Sequence, residues 1–222
     1  MLIRIVSDTA DYPANTHYAT GWPTCGRQRC TVQTCYPLQS HTDTAIKVPM
    51  SIPDWRPANA HPQNPPSDLL DWLRDEGSLT RRLIASGQDD FRVEVLVEQQ
   101  QPARADEAAA LGLTAGQPVW IREVLLHTAG APRVFARTAA DLQAFNAAGV
   151  HLENLGSRSL GELLFSDPRI RREPIEISPY PAAWLPGPLQ AEHCWARRSR
   201  FSSERLQLLV CEVFLPGWPR PA

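Results

Sequence analysis

Two runs read as β-strand more firmly than anything else in this chain, and each sets a charge on an apolar face: Val119-Trp120-Ile121-Arg122-Glu123-Val124-Leu125-Leu126 and Leu208-Leu209-Val210-Cys211-Glu212-Val213-Phe214-Leu215. Side chains alternate faces along a strand. Arg122 therefore sides with Trp120, Val124 and Leu126, and Glu212 with Leu208, Val210 and Phe214. A charge among apolar neighbours is costly unless a protein group or a polar ligand meets it. Either the two pair with each other inside a structural core, or they grip opposite ends of a small polar molecule in a pocket.

The surrounding pattern supports antiparallel strands rather than a doubly wound sheet. Phe91, Val93, Val95 and Val97 alternate with Arg92, Glu94 and Glu98 as a half-buried strand. Thr128-Ala129-Gly130-Ala131-Pro132 is a tight reversal that returns the Arg122 strand as Arg133 to Thr138. Arg171 to Ser178 is another strand, and Trp195 to Ser202 forms a hairpin with Leu206 to Leu215 across Ser203-Glu204-Arg205. Short helices interrupt these strands. Ser67 is placed to cap one, with Leu69, Leu70, Trp72 and Leu73 on its apolar side, and Ser78 to cap a second that ends at Gly87. Others are expected from Asp106 to Leu111, near Asp141 to Ala147, and after Ser159, whose spacing to Glu162 fits a capping box. The fold class is α+β.

Residues 1–66 differ in texture, crowded with Pro, Thr, Cys, Gln, Asn and His. They read as a disordered or irregular extension before a single domain over 67–222. A natural start at Met50 would keep every regular pattern.

Composition excludes several functions. A formal charge of -2 gives no reason to expect nucleic acid or a membrane surface. No apolar run approaches the roughly 20 residues of a spanning helix, so the cytoplasm is the expected location. Lys47 is the only lysine, which argues against a Schiff-base mechanism and leaves arginine forks, suited to carboxylates, as nearly all the fixed cations. Cys25, Cys30 and Cys35, with His17 and His41 nearby, are spaced too widely for the usual zinc knuckle, so no metal is expected. Cys211 reads as a small core residue. Arg197, Arg198 and Arg200 read as a solvated strand edge rather than a second anion site, and His127, His151 and His193 as exposed.

The order of motifs resembles the chorismate pyruvate-lyase family. Leu70-Asp71-Trp72-Leu73, Gly77-Ser78-Leu79-Thr80-Arg81-Arg82, Trp120-Ile121-Arg122-Glu123-Val124-Leu125-Leu126 and Ala136-Arg137-Thr138 carry the likeness. It continues through Leu155-Gly156, Leu160-Gly161, Leu164-Phe165, Arg197-Arg198-Ser199-Arg200 and Glu212-Val213-Phe214-Leu215-Pro216. The resemblance implies a six-stranded antiparallel sheet with helical flaps over a buried site. It implies elimination of pyruvate from chorismate to give 4-hydroxybenzoate, the first step of ubiquinone biosynthesis. Aromatisation drives that reaction, so no cofactor is expected, and with no dedicated interface in the sequence a monomer is expected. It puts Arg122 on the ring carboxylate, the backbone of Leu160 beside it, Glu212 on the ring hydroxyl, and Arg137 near the entrance or the enolpyruvyl group. Leu79 occupies a flap position where the family often has methionine. A covered site for a flat aromatic acid also implies slow product release.

Two other readings remain open on sequence. Effector-binding domains of some bacterial transcription regulators share this architecture and bind small acids without converting them, but they follow a winged helix-turn-helix, of which residues 1–66 show no sign. A structural fold with Arg122 and Glu212 paired would bind nothing.

Overall fold

The computed structural model describes residues 52–87, 90–141, 156, 160–204 and 206–218, the side chains of Glu162 and Leu163 excepted. The expected helix at Asp141 to Ala147, His151, the Cys25/Cys30/Cys35 set and Ser157 to Ser159 lie outside these residues, but for Asp141 itself.

One antiparallel sheet organises the chain. Its strands are β1 (Arg56–Pro57), β2 (Arg92–Pro102), β3 (Pro118–Thr128), β4 (Ala131–Asp141), β5 (Arg171–Arg172), β6 (Glu176–Pro179), β7 (Trp195–Ser203) and β8 (Leu206–Phe214). Their order is β1-β6-β7-β8-β4-β3-β2, with β5 also on β7. The sheet thus has eight strands, not six. The two extra ones, β1 and β5, are only two residues long, too short to leave an alternating signature. The run expected as one strand over Arg171 to Ser178 is broken at residues 173–175 into β5 and β6.

The β3–β4 turn is the reversal the sequence marks. Ala129 (φ 51°) and Gly130 (φ 73°) both lie in the left-handed region, which matches the twist of the flanking strands. The Asp90 carboxylate accepts from both of their N–H groups, at 2.8 and 2.5 Å.

The sheet's two faces are distinct. On one, Val124, Leu126, Val134, Ala136 and Phe214 meet α1 (Ser67–Arg74) and α2 (Leu79–Ser86), while Trp120, Ala140, Phe201 and Leu208 meet α4 (Leu160–Ser166). On the other, α3 (Ala105–Leu111) and two 3₁₀ turns, Ala182–Trp184 and Gly187–Leu189, cover Leu125, Phe135, Ala139, Leu209, Cys211 and Val213. Burial pushes the Cys211 thiol far up, so it stays protonated as an inert core group.

Local details depart from expectation in two places, at Ser67 and before residue 67. Ser67 is the first residue of α1, and Pro66 sits at the cap without a side-chain bond. Ser78 does cap α2, its Oγ accepting from Arg81 N at 3.4 Å. Residues 52–66 are not all extension: β1 pairs with β6, Trp55 Nε1 donates to Asp106 Oδ2 at 2.9 Å, and the packed unit begins before residue 67. Gly87 ends α2 where a Cβ would stand 1.9 Å from Thr128 Oγ1, so only glycine lets α2 meet β3 this closely.

Candidate functional site

A bulge in β2 sets up the site. Strict alternation would align Val97 with Val93 and Val95, but the β2–β3 register slips between Val95 and Val97. Val97 is thereby moved to the α3 face, and Glu98 comes opposite Arg122 on the face of α1 and α2. Arg122, only 2% exposed, donates from Nη1 to Glu98 Oε2 at 2.7 Å and from Nη2 to the Gly156 carbonyl at 2.6 Å.

The β7–β8 hairpin brings the carboxylate. Its register places Arg197 opposite Glu212, and Arg197 Nε donates to Glu212 Oε2 at 2.6 Å. Arg197 is 1% exposed. Its Nη1 also donates to the carbonyls of Trp72 and Asp75 at the end of α1, at 2.8 and 2.6 Å. Sheet and flap are tied together through one guanidinium. The expectation of a solvated arginine edge is therefore wrong: Arg197 faces the flaps, Arg198 is buried on the α3 face beside Glu176 and Trp55, and Arg200 pairs with Glu173. His127, expected exposed, is buried between Arg92 and Glu94. His193 is exposed.

Arg122 and Glu212 open into one cleft, with about 670 Å³ free of protein atoms, its mouth included. Val124, Leu126, Ala136, Thr138 and Val210 form its floor, and Gly77, Leu79 and Thr80 of the α1–α2 hairpin with Leu160, Gly161, Leu164 and Phe165 of α4 cover it. Cation and carboxylate thus come from β3 and β8, with β4 between them. Arg122, Glu212, Leu79 and Leu160, singled out from sequence, all line this space. Arg172 and Arg197 line it too and were not foreseen.

Arg137 does not join them. On β4 it alternates with the cavity-lining Ala136 and Thr138, so it points to the α3 face. There its Nε donates to Glu107 Oε1 at 2.6 Å and its Nη1 to Glu123 Oε1 at 2.7 Å, with the arginine and Glu107 both about as buried as core residues. Its place is the core, not the entrance or an enolpyruvyl group.

The cavity is electropositive. Among the described residues it presents three guanidinium groups and one carboxylate, with Glu98 behind Arg122. Arg172 shows the strain of this arrangement: burial and the neighbouring Arg197 lower its pKa from the ordinary value, while Glu212 and two flap carboxylates partly offset them. An enclosed, largely apolar slot with cations toward both ends suits a small ring bearing more than one carboxylate.

Comparisons with known proteins point to one family. A family model described as Chorismate lyase matches residues 51–220. A probable chorismate pyruvate-lyase of Pseudomonas putida is 51% identical over 163 residues, 73% of this chain and 88% of that protein. One from Pseudomonas aeruginosa strain UCBPP-PA14 is 54% identical over 149 residues, 67% of this chain and 84% of that protein. Among solved structures, the C-terminal domain of a histidine utilization repressor from Pseudomonas syringae pv. tomato matches with TM-score 0.45 and 15% identity, over 60% of this chain and 96% of that one, a likeness too slight to bear on function. With its model matched from one end of the packed unit to the other, the chain belongs to the chorismate lyase family.

Proposed function

We propose that this enzyme eliminates pyruvate from chorismate and releases 4-hydroxybenzoate, the ring precursor of ubiquinone. The observation that carries the reading is the cavity in which Arg122 and Glu212, from separate strands, face one covered space. Arg122 holds the ring carboxylate, with the backbone of Leu160, the first residue of α4, at the same end. Glu212 takes the ring hydroxyl para to it. Leu79 closes the slot with an apolar side chain, a role that leucine fills as well as methionine.

The chemistry asks little more. Chorismate is one elimination from aromaticity. The hydrogen on the hydroxyl-bearing carbon leaves as a proton, its electron pair completes the ring, and the adjacent C–O bond breaks. Enolpyruvate departs with the C–O electron pair and gains a proton on carbon to become pyruvate. Nothing is oxidised overall. The protein's task is to hold the reactive conformer and steady the developing charge, for which preorganised guanidinium groups in a low-dielectric cavity serve well. A monomer acting in the cytoplasm without cofactor is consistent with that chemistry, and no helix among the described residues is long and apolar enough to cross a membrane.

Incubation of the purified protein with chorismate, followed by the absorbance of 4-hydroxybenzoate, tests the proposal. Binding without conversion would make it a sensor of small acids, and neither binding nor conversion would leave only a scaffold.

A further inference from the structure

Two of the cavity's three cations already have carboxylates: Glu98 for Arg122 and Glu212 for Arg197. The third does not. Arg172 enters from β5, opposite Phe201 of β7. Its Nε donates to Ser199 Oγ at 3.0 Å, and its Nη1 to the carbonyls of Glu76 and Gly77 at 2.8 and 3.4 Å. Among the described residues no carboxylate forms an ion pair with it, and Nη2 has no acceptor. The planar group is held beside the rings of Phe165 and Phe201, 5.8 and 5.5 Å from their centroids. Arg172 and Phe165 also line an outer groove with Pro57, Arg74 and Glu173. The guanidinium is therefore fixed through Nε and Nη1, partly desolvated, and set in the wall between cavity and exterior with Nη2 open to a ligand.

The substrate's own geometry supplies what is missing. In chorismate the enolpyruvyl ether is on the ring carbon next to the hydroxyl-bearing one. If Glu212 holds the hydroxyl, as the proposed function has it, the second carboxylate falls at the Glu212 end of the slot. Arg172 is at that end: its Nη1 holds the Glu76 and Gly77 carbonyls, next along the chain from the Asp75 carbonyl held by Arg197, the partner of Glu212.

We propose that Arg172 binds the enolpyruvyl carboxylate of chorismate, and so distinguishes the dianionic substrate from 4-hydroxybenzoate, which lacks that group. The same contact carries charge in the elimination, because the C–O electron pair leaves into an enolate conjugated with the carboxylate Arg172 holds. Once pyruvate has left, Nη2 is vacant again and the product keeps only its ring contacts.

The test compares Arg172→Met and Arg172→Lys with wild type, measuring dissociation constants for chorismate and, separately, for 4-hydroxybenzoate. Loss of a charge-assisted contact predicts chorismate affinity lower by about 10- to 100-fold in Arg172→Met, with product affinity within about twofold of wild type. Arg172→Lys should recover part of the loss for chorismate alone, since it restores charge without the fork. Because Arg172 also steadies Glu76 and Gly77, a mere loosening of the flap would weaken both ligands together, and that outcome, or unchanged affinity for both, overturns the inference. Failure of the proposed function reads differently: wild type would bind chorismate and form no 4-hydroxybenzoate, whatever the Arg172 variants do.

Discussion

Arg197 Nε lies 2.6 Å from Glu212 Oε2 across the β7–β8 hairpin, and the same guanidinium holds the carbonyls of Trp72 in α1 and of Asp75 just after it. This pair orients the carboxylate in the cavity and latches the flap to the sheet. Removing one member of a buried ion pair strands the other, at a cost of about 3–5 kcal/mol. Arg197→Met should lose stability on that scale, measured by urea unfolding. Glu212→Gln, which keeps an acceptor for Arg197, should lose much less stability yet most of its turnover. Equal unfolding midpoints for Arg197→Met and wild type would show that the latch contributes nothing.

Arg122 tests the other end of the slot. Arg122→Ala removes the proposed clamp on the ring carboxylate and should lower kcat/KM by a factor corresponding to about 2–5 kcal/mol. Steady-state kinetics with chorismate decide it, and near wild-type turnover would reject the role.

Arg137 makes the contrasting case. Arg137→Met should destabilise by about 3–5 kcal/mol, because Glu107 and Glu123 lose their cation. Chorismate affinity of the folded fraction should not change, since the side chain is on the far face of the sheet. The pH dependence carries a sign. Burial alone would raise the Glu107 pKa, but hydrogen bonds and charge from Arg137, with the Arg104 N–H, hold it below the ordinary 4.5. A depressed folded value gives stability that is complete above 4.5 and is lost as pH falls through the folded pKa. In Arg137→Met burial would dominate and raise that pKa, so Glu107 would favour the folded state at low pH and oppose it as pH rises. Unfolding free energies of the two proteins over about pH 3–6 should slope in opposite directions from this group, and parallel curves would contradict the assignment.

Period-two alternation makes the two-faced sheet legible, along with the partners of Arg122 and Glu212 in the cavity wall. Applied to β4 it also shows that Arg137 cannot share a face with Thr138, the residue opposite Arg122. Arg197 was not findable from the turn. A three-residue turn at Ser203-Glu204-Arg205 would set Arg197 against Cys211, whereas Ser203 itself pairs with Leu206, which sets Arg197 against Glu212. Its basic neighbours also hid it, because a run of arginines resembles a solvated edge. Glu98 was not findable, since the bulge at Leu96 reverses the faces beyond it and leaves no residue signature. Arg172 and β1 depend on pairings between distant segments, which local pattern does not encode.

The β3–β4 turn offers a stabilising change. Ala129 holds φ 51°, a left-handed conformation that costs a residue with a Cβ about 1–2 kcal/mol. Glycine avoids this but loses about 0.5–1 kcal/mol in unfolded-chain entropy. Ala129→Gly should therefore stabilise by roughly 0.5 kcal/mol, read from thermal or urea unfolding, provided Asp90 keeps its bonds to the two N–H groups. A clear loss of stability would show that the turn bears no strain at Ala129.

Leu79 connects the cover to release of product. It begins α2, is 3% exposed, and touches both the cavity and the cluster formed by Leu73, Leu83 and Val124. A flat acid held behind this side chain and α4 must wait for the cover to move, so product should leave slowly and 4-hydroxybenzoate should inhibit. Leu79→Ala removes a packed side chain and should cost about 2–5 kcal/mol of stability. It also thins the cover while leaving Arg122, Glu212 and Arg172 in place. The inhibition constant for 4-hydroxybenzoate should therefore rise and its dissociation rate should increase, measured by stopped-flow displacement. If release is what limits turnover, kcat should hold or increase even as the fold weakens, the opposite of what general damage to the site would produce. Unchanged dissociation of product from Leu79→Ala would place the barrier to release elsewhere, at α4 or at the Phe165 and Arg172 wall.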